Sequence, residues 1–175
     1  MGPLFLLLIL LTVCQDRDEV AESRADRSAD APDQEAWEVT KTVTRNGRLR
    51  ASIHAPHLKK YDRDRISRMD GGISVTFFGW SGDTLSKLTS MKAEIDEGRR
   101  VLTAIDSVVL VSSRGSTLYT DTLRWEEESE IIKGPASVRI EGDRGTETGI
   151  GFEAKSDLSS WTLRQVVTWI DTSSN

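Results

Sequence analysis

A chain of 175 residues suits one domain with appendages rather than two. Its 29% of charged residues and formal net charge of -5 predict a soluble domain and exclude a phosphate-backbone binder, which needs a basic excess. The single cysteine, Cys14, excludes an intrachain disulfide, and with aromatics at 6% the core must rest on Val, Ile and Leu.

The chain opens on an unbroken apolar run, Leu4 to Leu11, followed by Thr12, Val13 and Cys14. As a helix this run rises only about 13 Å, far short of a hydrocarbon core of about 30 Å, so it reads as a signal-peptide segment over residues 1–13. Leu11-Thr12-Val13-Cys14 resembles the lipobox of bacterial lipoproteins, which implies cleavage before Cys14 and acylation of its thiol. Val13 departs from the small residue usual there, and Met1-Gly2-Pro3 carries no cation. The other reading is an incidental cysteine in an ordinary signal peptide or short anchor. Residues 14–36 are then expected to form a lipid-anchored tether: Gln15 to Ala36 has no aromatic residue and no hydrophobic period. As a flexible coil it would span about 25 Å.

From Trp37 the pattern changes, and residues 37–172 are expected to be one β-domain. Trp37 to Thr44 is β-branched and partly alternating; Asn46-Gly47 then signals a hairpin, with Leu49 to His54 as the return strand. Further strands are predicted at Ile73 to Phe78, Leu85 to Asp96, Val101 to Ser113 and Thr117 to Trp125. The series ends with Ile131-Ile132, Ala136 to Ile140, Thr148 to Ala154 and Trp161 to Ile170. Turn signals stand between them at Ser81-Gly82-Asp83, Glu97-Gly98 and Arg114-Gly115. Asp62-Arg63-Asp64-Arg65 and its neighbours read as a charged loop. Turns every 10 to 15 residues, with no 3.6-residue apolar period, predict an all-β antiparallel sandwich, jelly roll or barrel.

An ordered series of strand motifs in residues 73–169 resembles the LptC family of lipopolysaccharide export proteins. Leu88 to Asp96 is similar to its early strand, and Ser107 to Gly115 to its valine-rich strand and glycine turn. Leu118-Tyr119-Thr120-Asp121-Thr122-Leu123-Arg124-Trp125 is similar to its most recognisable motif. Ser137 to Ile140 and Gly149 to Ala154 match the valine strand and glycine-rich strand that follow. The resemblance implies a V-shaped antiparallel jelly roll of two sheets (the OstA-like type). It also implies a protein at the periplasmic face of the inner membrane that accepts lipopolysaccharide from an ATP-driven transporter and passes it to an LptA-type bridge protein.

A carrier of this kind needs an apolar groove. Candidate inward residues are Phe77, Ile95, Val108, Leu110, Leu118, Leu123, Trp125, Val138, Ile140, Phe152 and Leu163, equally readable as an ordinary sandwich core. A bulge near Thr120 to Thr122 would flip the facing of its neighbours. Val166, Val167, Thr168, Trp169 and Ile170 form a terminal strand unblunted by Pro or Lys, an edge suited to strand addition from a partner or else a buried central strand.

Catalytic and cofactor signatures are missing. The two histidines of His54-Ala55-Pro56-His57 lack the further ligands of a metal site and read as a loop. Glu126-Glu127-Glu128-Ser129-Glu130 reads as a solvated turn, with a cation site as the alternative. No phosphate-cradling or nucleophile-elbow motif is present, so neither a cofactor nor an enzymatic activity is expected. The competing functional reading is an envelope lipoprotein whose β-sandwich binds glycan or protein as a scaffold.

Overall fold

In the computed structural model, residues 31–143 and 145–170 are described; Cys14 and the apolar run before it lie outside them. Eleven strands make one antiparallel sheet. They are β1 (Gln34–Arg45), β2 (Arg48–Tyr61), β3 (Ile66–Asp70), β4 (Ile73–Phe78), β5 (Thr84–Ser90) and β6 (Lys92–Asp96). Then follow β7 (Val101–Ser112), β8 (Thr117–Glu126), β9 (Ile131–Gly142), β10 (Gly145–Lys155) and β11 (Trp161–Ile170). The predicted all-β jelly roll is the fold. β1 begins at Gln34, ahead of the Trp37 at which the sequence pattern changes.

The pairing is a meander in which every long strand breaks at one level. β2 pairs β3 through its C-terminal half and β4 through its N-terminal half. β7 pairs β6 and β5 in the same divided way. So β3 with β4, and β5 with β6, are each one long strand interrupted at Gly71-Gly72 and at Met91. The interruption continues across neighbouring strands, with left-handed backbone at Glu38 in β1 and at Asp106 and Ser107 in β7. Register shifts extend it through β8 and β9 between Thr120 and Arg124 and through β10 between Ile150 and Phe152. An extra residue in one strand bends it and sharpens its twist. Aligned across a whole sheet, such bends fold the sheet on itself. The two expected sheets are therefore halves of one hydrogen-bonded ladder.

The bends also reset which residues face inward. β8 buries Leu118 and Thr120 before its bulge and Leu123 and Trp125 after it, so the side-chain alternation shifts by one, as the bulge anticipated there requires. One core unites both halves. Phe77 of β4 packs on Trp125 of β8 with ring centroids 5.1 Å apart. Ser86 and Ser112 donate from their hydroxyls to the carbonyls of Ser156 and Asp157 in the β10–β11 turn, at 2.5 and 2.6 Å.

Several sequence readings are corrected. Leu85 to Asp96 is two strands because Met91 turns outward at the bend. Ile131-Ile132 and Ala136 to Ile140 are one strand, β9, which runs through Pro135. The histidine segment is not a loop: Pro56 sits within β2, where that strand changes partners from β4 to β3. Only Asp62 to Arg65 form the charged turn, and the residues after it are β3, whose five residues are too few to show a period. Asn46-Gly47 is the expected hairpin, with φ of 51° and 72°, both positive as its turn type demands.

Gly134 marks the tightest crossing of the bend. A Cβ there would meet the Thr122 carbonyl oxygen and lie 2.7 Å from Cε1 of Phe152. Gly134→Ala is expected to destabilise the domain by about 1–3 kcal/mol through overpacking. Gly142→Ala, which would meet first the movable Ser116 hydroxyl, should cost much less. Urea unfolding of the two variants checks this, and equal midpoints would show that the crossing is not tight.

Candidate functional site

The half-sheets do not close evenly. Beside β1 they leave a cleft of about 360 Å³. Its floor is apolar, built from Val43 of β1, Ile53 of β2, Ile95 of β6, Val101 and Leu102 of β7, and Trp125 of β8. Its rim is charged. Lys41 reaches from β1 to Glu97 in the β6–β7 turn, Nζ to Oε1 at 2.6 Å, and Arg100 pairs with Glu127. The Ser67 hydroxyl also donates to Glu97, at 3.4 Å. The hydrogen bond from Lys41 holds the Glu97 carboxyl below its usual range, against the opposing effect of burial. Alternation explains the composition: Lys41 and Val43 stand two apart on β1, and β1 closes the cleft with the same face that bears both.

All of the inward candidates lie in or against the core. Phe77, Ile95, Val108, Leu110, Leu118, Leu123, Trp125, Val138, Ile140 and Phe152 are buried, and Leu163 packs half-buried against them. Of these, Ile95 and Trp125 line the cleft. Val108 and Val138 also border a shallow depression with Tyr119 and Arg139, outside the bend. Sequence reasoning missed Lys41, Val43, Ile53, Glu97, Arg100, Val101 and Leu102. Val43, Ile53 and Leu102 were visible as strand residues, but what joins them to the site is the packing of β1 over the second half-sheet.

The acidic run is no free solvated turn. Glu130 holds Arg50, itself 3% exposed, through a two-pronged pair at 2.8 and 2.6 Å. The Arg50 guanidinium lies 4.4 Å over the Trp80 ring, and Arg45 donates to the Glu128 carbonyl at 2.6 Å. Glu126 pairs with Lys133. This clasp ties the β1–β2 hairpin to the β8–β9 turn beyond the end of the cleft. His57 stacks on Trp37 with centroids 5.3 Å apart and meets Asp70 through Nδ1 at 3.2 Å, while His54 lies 3.6 Å from Glu38.

The terminal strand is an edge. β11 pairs β10 and has no partner among the described residues on its other side, and Val166 and Val167 are exposed. β1 is the opposite edge, paired with β2.

A carboxylate whose pKa is lowered on folding stabilises the fold above its unfolded value and loses that contribution as pH falls through the folded value. The Lys41–Glu97 tie should thus be fully present above about pH 4.5 and fade below it. Glu97→Gln is expected to flatten the acid limb of the stability profile. Urea midpoints at pH 7 and pH 3 test it: unchanged pH dependence in the variant would mean that the tie contributes nothing.

Comparison with known proteins agrees with this architecture. The crystal structure of LptH, the LptA homologous periplasmic component of the lipopolysaccharide transport device of Pseudomonas aeruginosa, matches with a TM-score of 0.53. The two share 13% identity over 71% of this chain and 89% of that one, a likeness of fold. No curated protein matches by sequence. The model of the LptC-related lipopolysaccharide-assembly family matches residues 4–171. With the match running over residues 4–171 and so spanning the whole folded sheet, the chain belongs to the LptC-related family, periplasmic and non-enzymatic components of lipopolysaccharide transport.

Proposed function

We propose that this protein accepts lipopolysaccharide from the inner-membrane ATP-driven transporter and passes it to an LptA-type bridge jelly roll docked on β11. In this reading Cys14 carries the acyl anchor and the residues after it tether the domain to the inner membrane. The observation that carries the proposal is the cleft: an apolar floor continuous with the core, roofed by an edge strand and rimmed by charge.

Size sets the mechanism. Small-molecule sites run from about 300 to 1,000 Å³, so about 360 Å³ suits one acyl chain and falls short of a lipid with several. Beyond the cleft the interior is filled, with Leu88, Leu110, Leu118, Leu123 and Ile132 wholly buried. A multi-chain guest must therefore move β1 outward, and β1 is the edge strand that covers the cleft. It is laddered to one neighbour and tied across the cleft by Lys41–Glu97. Each buried methylene is worth about 0.8 kcal/mol, so a chain of about ten outweighs a part-exposed ion pair worth about 0–1 kcal/mol. Seated acyl chains replace the contacts that β1 gives up, and the charged rim stays with the headgroup.

Transfer onward needs an edge. β11 presents its free backbone groups together with Val166 and Val167, and a partner strand added there would extend the apolar trough into the next jelly roll.

A photoreactive side chain at Ile95 or Val43 is expected to capture lipopolysaccharide in cells, whereas one at exposed Val111 should not. Capture at Val111 alone, or at none of the three, would argue against the cleft as the lipid site. Separately, Val166→Lys with Val167→Lys should abolish co-purification with the bridge protein while shifting unfolding by no more than about 0.5 kcal/mol. A double variant that still binds the bridge protein would remove β11 as the docking edge.

A further inference from the structure

The cations at the mouth of the cleft are held by partners that a guest could replace. Lys41 and Glu97 both line it, and their side chains are 32% and 30% exposed, so the pair is within reach of whatever enters. Arg100, also in the lining, gives Glu127 one guanidinium nitrogen; its other nitrogens have no hydrogen-bond partner among the described residues. Glu97 and Arg100 are the first and last residues of one turn, 97–100, between β6 and β7. The β2–β3 turn packs beside it. The Glu97 amide donates to the Arg65 carbonyl at 2.9 Å, and a Cβ on Gly98 would lie 4.0 Å from Arg65 Nη1. Arg65 is exposed, and its guanidinium makes no ion pair among the described residues. The neighbouring carboxylates are engaged elsewhere, Asp62 with Lys60 and Asp96 with Arg99. Lys41, Arg65 and Arg100 thus gather at a single turn, where Glu97 is the carboxylate that Lys41 grips.

A carboxylate and a phosphate offer a lysine the same chemistry, anionic oxygens that accept charge-assisted bonds. They differ in capacity. A phosphomonoester carries a charge of about -1.5 to -2 and three acceptor oxygens, enough for Lys41 and the open nitrogens of Arg100 together. Glu97 holds only Lys41 and the Ser67 hydroxyl. Exchange costs little, because the released carboxylate is part-exposed and returns to water. An acyl chain lying on Ile53 and Ile95 would bring its head to this rim.

We infer that Glu97 is a placeholder, its carboxylate standing in the empty protein where Lys41 and Arg100 receive the phosphate of a guest lipid. The inference rests on the cleft being the acyl site and adds the class of guest: a lipid with a phosphomonoester at the head of a chain, which displaces Glu97 as it enters.

A latch and a placeholder respond differently when the pair is broken. A latch opens alike from either side, so Lys41→Gln and Glu97→Gln would change binding in the same direction. A placeholder competes with the guest, so the two variants part. Tetradecyl phosphate and tetradecyl maltoside, which share a tail, are titrated calorimetrically into the full-length protein below their micelle concentrations. The parent is expected to bind the phosphate about tenfold more tightly, the weight of a charge-assisted hydrogen bond, and less so at high salt. Lys41→Gln should bring that ratio to about one and Lys41→Arg should keep it, whereas Glu97→Gln should raise it about threefold further. Arg100→Gln, which leaves the Lys41–Glu97 pair whole, should lower it to about threefold. Inorganic phosphate at the lipid's concentration should displace neither probe. A ratio near one in the parent, a shift in the same direction in Lys41→Gln and Glu97→Gln, an Arg100→Gln ratio equal to the parent's, or displacement by inorganic phosphate, which would mark a site for the free ion, would each overturn the inference. Photo-capture at Ile95 tells its failure from that of the carrier reading. Capture without phosphate preference removes only the placeholder; phosphate preference without capture removes the carrier and leaves a site for anionic lipid.

Discussion

The architecture depends on a constraint of alignment: each long strand must bend at the same level as its neighbours. A bend in one strand alone would break the ladder, whereas aligned bends keep the hydrogen bonds and turn a flat meander into two facing layers. Different local chemistry meets the requirement in different strands. β2 has Pro56, the joint of β3 with β4 has paired glycines, and β7 has two consecutive residues at positive φ, Asp106 and Ser107. Asp106 donates no side chain to the core; it is exposed, and its carbonyl accepts from the Met91 amide at 3.0 Å, joining two bends directly. Because a bend can shift the two-residue alternation, the sequence on either side must be written in different phase, as in β8.

That shift decides what could be read from the sequence. The strands whose turns carry strong local chemistry, such as Asn46-Gly47 and Arg114-Gly115, were legible with nearly correct limits, because a turn's demands are local. The inward apolar set was legible as well, including Leu118 with Leu123 and Trp125 on opposite sides of a bulge. The bend line was not. It is a relation between strands, and Pro56 or Gly71-Gly72 taken singly reads as an interruption of structure rather than as a step in a longer strand. β3 vanished into the charged turn for the same reason: with five residues it has too short a pattern to oppose the arginines and aspartates beside it.

The cleft shows the same limit from the side of function. Its floor could be guessed in part, since Ile95 and Trp125 belong to the inward set. Its rim could not, because Lys41 and Glu97 are 56 positions apart in the chain and meet only when β1 lies over the second half-sheet. Charge at the rim and grease on the floor also divide the energetic work. The rim pairs are part-exposed, screened and individually weak, so they resist opening little. At the other end, Arg50 and Glu130 form a much drier pair, and removing one partner there would strand a buried charge. The fold is thus fastened firmly beyond the cleft and lightly at its mouth.

This asymmetry gives β1 a direction of motion. Its C-terminal end leads into the hairpin held by Arg45, Arg50 and Trp80. Its N-terminal end begins at Gln34, where Asp33 accepts from the Asp62 amide at 2.8 Å and donates its own amide to the Lys60 carbonyl. Lys41 lies between these points, and the ladder to β2 is interrupted on either side of it, by the positive φ of Glu38 and by the register shift between Val43 and Thr44. Outward movement would therefore pivot on the hairpin and open from the Gln34 end, with β1 as the strand that a lipid displaces.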